Sequence, residues 1–67
     1  MEGIELIRSE LLKASGKKKE LLGRLVELEA AEPKNFTEIW RTRDRLAYWE
    51  GKSEGLKLAL EALETET

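Results

Sequence analysis

The 67-residue sequence predicts an all-α fold, an antiparallel two-helix coiled-coil hairpin that self-associates into a helical bundle. Three observations predict it. Apolar residues recur in each half at alternating steps of three and four, the a/d rule of a left-handed coiled coil. The only proline stands between the two halves. When the chain is folded there and residues whose numbers sum to 67 are paired, every a position falls level with a d position, as an antiparallel pair requires.

The first helix is expected over about residues 3–31. Its seam runs Ile4, Ile7, Leu11, Ala14, Lys18, Leu21, Leu25, Leu28. Ala31-Glu32-Pro33-Lys34-Asn35 then interrupts the chain, because proline in a helix interior loses a hydrogen bond and clashes one turn back. The turn is placed at about residues 32–34. Asn35-Phe36-Thr37-Glu38 has the form of a capping box, a short polar cap with a carboxylate three residues on, and opens a second helix over about 35–64. Its seam runs Ile39, Thr42, Leu46, Trp49, Ser53, Leu56, Leu60, Leu63. Thirteen of the sixteen seam positions are apolar, where the overall hydrophobic fraction of 40% gives about six by chance, so the period is real. β-branched and aromatic residues are sparse and do not alternate, so no strand is expected.

The seams match in detail. Leu28 meets Ile39, Leu21 meets Leu46, Leu11 meets Leu56, Ile7 meets Leu60, and Ile4 meets Leu63. Lys18 falls level with Trp49, where its stem can pack on the ring and its ammonium can reach the edge. Ala14 and Ser53 form a thin rung that lets the backbones approach. The alternative is a three-helix bundle broken at Ser15-Gly16, in which the unbroken register is a coincidence.

Two helices leave much apolar residue unused. Leu12, Gly16, Leu22, Gly23, Val26 and Ala30 lie off the first seam; Trp40, Ala47, Tyr48, Gly51, Gly55, Leu58, Ala59 and Ala62 lie off the second. Both sets keep helical spacing and so suggest a second stripe. Each helical glycine costs about 0.8–1 kcal/mol relative to alanine. Close approach of another helix offsets this, and Gly51 and Gly55 have the spacing that permits it. Neutral drift in a marginal helix is the alternative. The expected consequence is a homo-oligomer, most simply a dimeric four-helix bundle, with Leu22, Val26, Trp40, Tyr48, Gly51, Gly55 and Leu58 at the interface.

Charge is segregated along the hairpin. Residues 13–24 and 41–52 hold nine basic and three acidic residues, a band of +6; the rest hold three basic and eleven acidic, −8, which recovers the net −2. On the flank beside the seam, Lys17 is expected near Lys52 and Arg24 near Arg45, with Arg41 and Lys13 extending the same side. Such like-charge contacts oppose this register unless an acid from a second subunit or an external anion lies over them. Three readings of the band stand together: a solvated face, a contact with the acidic ends of neighbouring subunits, and a contact of Lys13, Lys17, Arg24, Arg41, Arg45 and Lys52 with nucleic-acid phosphates.

Catalytic chemistry lacks its parts. Histidine and cysteine are absent, which removes the commonest general base, the commonest metal ligand and any disulfide. Ser9, Ser15 and Ser53 have no nucleophile-elbow pattern, and no glycine-rich phosphate loop follows a strand. Glu50 and Glu54 share a helix face, but two exposed glutamates alone are ordinary surface. No enzyme, cofactor or metal is expected. No apolar run approaches the ~18 residues that span a bilayer. The acidic N-terminus lacks an apolar signal region, so the expected location is cytoplasmic. Glutamine is absent and asparagine occurs once, as in proteins of heat-adapted hosts.

Residues 43–60, from Arg43-Asp44-Arg45 through Leu46-Ala47-Tyr48-Trp49-Glu50-Gly51 to Gly55-Leu56-Lys57-Leu58-Ala59-Leu60, resemble the C-terminal helix of small coiled-coil proteins of bacteriophage and prophage genomes. The shared pattern is an Arg-rich turn, Ala-Tyr, a bulky residue, Glu-Gly and a Leu-rich tail; Gly55 stands where that pattern has alanine. The resemblance implies a non-enzymatic accessory protein, in the host cytoplasm or the virion. The function expected is a self-assembling interaction module, with a nucleic-acid-associated regulatory protein as the alternative.

Overall fold

The computed structural model describes residues 2–66. Helix α1 spans Glu2–Ala30 and helix α2 spans Phe36–Glu66. The two lie side by side in a rod of 53 × 14 × 12 Å. α1 passes through Ser15-Gly16 without a break, so the three-helix alternative is not the fold.

The turn is set by local chemistry. The last α1-type bond runs from the Ala31 amide to the Glu27 carbonyl at 3.1 Å. Pro33 follows, with a cis Glu32–Pro33 peptide bond, and residues 31–35 form the connection. Asn35 then caps α2: the Glu38 amide donates to Asn35 Oδ1 at 3.2 Å, and the Ile39 amide donates to the Asn35 carbonyl at 3.1 Å. Only half of the expected capping box forms. The Glu38 carboxylate turns instead to Arg24 of α1, at 3.3 Å, and to Arg41, at 3.2 Å. It thereby ties the start of α2 to the neighbouring helix.

All sixteen seam residues are buried or half-buried. Ala14, Ile39, Thr42 and Ser53 are the buried ones. The Ala14–Ser53 rung is therefore shielded on both sides, as expected of two small side chains facing each other. Buried Thr42 meets its hydrogen-bonding need within its own helix, donating from Oγ1 to the Glu38 carbonyl at 2.7 Å. Among the described residues no buried side-chain nitrogen or oxygen lacks a partner.

Ion pairs fix the register independently. On one flank Glu10 meets Lys52 at 3.8 Å and Arg24 meets Glu38 at 3.3 Å. On the other, Arg8 meets Glu64 at 3.4 Å and Glu29 meets Arg43 at 2.8 Å. Partner numbers sum to 62 on the first flank and to 72 on the second, five either side of 67. These are the g and e positions of the two heptads, so the seam register and the flank register agree.

The same pairs correct the expected flank. Lys52 faces Glu10, not Lys17, and Arg24 faces Glu38, not Arg45. Opposite charge lies one heptad farther along, within reach of long side chains, and they take it. Lys18 is corrected as well. The ammonium over the Trp49 ring is that of Lys52, 5.1 Å from the ring centre, while half-buried Lys18 lines a cleft with Leu11, Leu12 and Ser53.

Candidate functional site: exposed faces of the hairpin

The heptad register sorts the off-seam apolar residues into two faces. On the flank marked by the Arg8–Glu64 and Glu29–Arg43 pairs, α1 presents Leu12, Leu22 and Val26 and α2 presents Phe36, Trp40 and Ala47. The exposure of the larger side chains here runs from 48% at Leu22 to 77% at Leu12, with Val26 at 68% and Trp40 at 66%. Phe36 and Trp40, one turn apart, wall an open cleft of about 320 Å³ with Ile39 at its base and Glu29, Lys34 and Arg43 at its edges. Both helices thus contribute to one apolar face near the turn.

The second face belongs to α2 alone. Tyr48, Gly51, Gly55, Leu58 and Ala62 alternate by three and four on the side of α2 turned away from α1. Tyr48 and Leu58 are exposed, and Tyr48 stands edge-on to Trp49 with ring centres 5.2 Å apart. A Cβ added at Gly16, Gly23, Gly51 or Gly55 meets nothing within 4 Å. Close packing inside the hairpin therefore does not account for these glycines. The expected interface residues are thus divided: Leu22, Val26 and Trp40 come together on the two-helix face, whereas Tyr48, Gly51, Gly55 and Leu58 form a separate ridge. Phe36 belongs with the first group. Its place four residues before Trp40 was the signal, and its position in the cap sequence concealed it.

The basic residues are largely answered from within. Arg24 and Arg41 share Glu38, Lys52 has Glu10 and the Trp49 ring, and Lys17 lies 3.9 Å from Glu20. Lys13 and Arg45 remain without an acidic partner among the described residues. Lys17 and Arg45 border the same open cleft, whose inner wall is Leu21 and Trp49. Arg45 is the one cation of that cleft without an acidic partner among the described residues.

Among the described residues no group of three or more histidine, cysteine, aspartate or glutamate side chains is arranged to hold a metal ion. No helix of the described chain is long and apolar enough to cross a membrane. The fold and the exposed faces define a helical-hairpin protein with an unpaired apolar surface. No protein-family model, curated protein or solved structure matches the chain.

Proposed function

We propose that this protein is a non-catalytic self-assembling hairpin that works as an interaction module, with a second copy of the chain as its first partner. One observation carries the reading. Among the described residues no large side chain is fully buried, yet Leu6, Leu12, Leu22, Val26, Phe36, Trp40, Tyr48 and Leu58 are all exposed. Burial of an apolar side chain contributes roughly 1.5–3 kcal/mol, and chains of this size rarely reach stability on a single small core. A second hairpin supplies the missing burial for both. The likeness of residues 43–60 to phage coiled-coil proteins supports the same class of role, an accessory protein without catalysis.

Light scattering across a range of protein concentrations tests the proposal. A mass of about twice 7.7 kDa is expected at the upper end, falling on dilution. Trp40→Glu, which places a charge on the exposed apolar face, is expected to shift the mass toward that of one chain while helicity by circular dichroism is retained. A mass of one chain at every concentration would overturn the proposal.

A further inference from the structure

We infer that two copies join antiparallel through the two-helix face near the turn, about a twofold axis level with Arg43. The inference rests on the self-association proposed above and adds its face, its partner surface and its direction. A symmetric pair on this face has two choices. If the axis runs along the rod, the copies are parallel and α1 faces the partner's α2. If the axis crosses the rod, the copies are antiparallel and each helix faces its own counterpart.

Charge decides between them. The parallel arrangement pairs Lys19 with the second copy's Glu50, but it brings Glu5 level with its Glu61 and sets exposed Leu12 against its Glu54. It repeats these contacts twice by symmetry. The antiparallel arrangement, with its axis level with Arg43, sets Leu22 of one copy against Val26 of the other and Trp40 against Ala47. At the same spacing Lys19 meets Glu29. Lys19 is exposed and has no ion-pair partner among the described residues. Three sets of contacts, two apolar and one between opposite charges, thus converge on a single axis. Each Arg43 stays held by its own Glu29 at 2.8 Å, which keeps the two guanidinium groups near the axis neutralised. Apolar residues occupy the centre and charges the rim, the arrangement of a specific interface.

Single-thiol variants test the direction, because the chain has no cysteine of its own and all three positions are exposed. Leu22→Cys mixed with Val26→Cys is expected to give a mixed disulfide dimer under mild oxidation. Leu22→Cys mixed with Ala47→Cys is expected to give none. The reverse pattern would establish the parallel dimer and overturn the inference. If neither mixture cross-links while light scattering still shows a dimer, the inference fails and the Tyr48–Leu58 ridge becomes the interface. If light scattering shows one chain throughout, the underlying proposal fails with it. Circular dichroism of each variant shows that the hairpin is intact.

Discussion

Asn35 shows how far one side chain sets the fold. Its Oδ1 accepts the Glu38 amide at 3.2 Å, satisfying one of the orphan donors at the start of α2. Asn35→Ala is expected to lower stability by about 1 kcal/mol in urea unfolding. Asn35→Asp is expected to keep it, since a carboxylate caps as well and favours the positive helix end. The helical glycines give the opposite expectation. Nothing lies within 4 Å of a Cβ at Gly51 or Gly55, so alanine there meets no steric cost within the hairpin. Gly51→Ala is expected to raise stability by about 0.8–1 kcal/mol. A loss of stability at this site would instead indicate a second helix packed against the ridge. These two residues differ in legibility for a physical reason. A cap is a local hydrogen bond, readable from four consecutive residues. A glycine's neighbour is a tertiary fact, and the sequence alone leaves packing and drift undivided.

At the scale of the helices, the seam was legible in full. All sixteen residues chosen by spacing are shielded, and the ion pairs on both flanks centre on the same register. The period is legible because it is a property of the whole helix, sampled at eight positions in each. Flank partners were not. From Lys52, a like charge at Lys17 and an opposite charge at Glu10 lie one heptad apart, and the period treats them alike. Only the energetic preference for the opposite charge selects Glu10. Such exposed pairs contribute about 0–1 kcal/mol each, enough to orient side chains but not to set the fold. Steric fit at the thin rung is the stronger constraint. Ala14 is fully buried opposite buried Ser53. Ala14→Leu is therefore expected to destabilise the hairpin by about 1–3 kcal/mol through overpacking. Leu12→Ala, at a position 77% exposed, is expected to leave urea unfolding of the isolated hairpin nearly unchanged.

The whole molecule is a rod whose apolar surface is unevenly placed. Leu22, Val26, Phe36, Trp40 and Ala47 crowd the turn half, while the open end carries Glu5, Glu54, Glu61 and Glu64 on the same side. A second copy that covers the turn half must therefore leave its own acidic end pointing away, or bring two acidic ends together. Repulsion between those ends favours the first course, and the result is a dimer longer than either chain. The open end lies about 22 residues of helix beyond the level of Arg43, or roughly 33 Å at 1.5 Å per residue. Antiparallel copies are thus expected to measure roughly 65–70 Å end to end, against 53 Å for one hairpin or for two laid parallel. Small-angle X-ray scattering of the dimer separates these lengths without any substitution. Raising the salt concentration is expected to weaken the dimer only modestly, because the Lys19–Glu29 contacts lie at the rim and the apolar centre is insensitive to screening. A dimer no longer than one chain would place the acidic ends side by side, and would show that apolar contact at the open end outweighs the repulsion between Glu5 and Glu61.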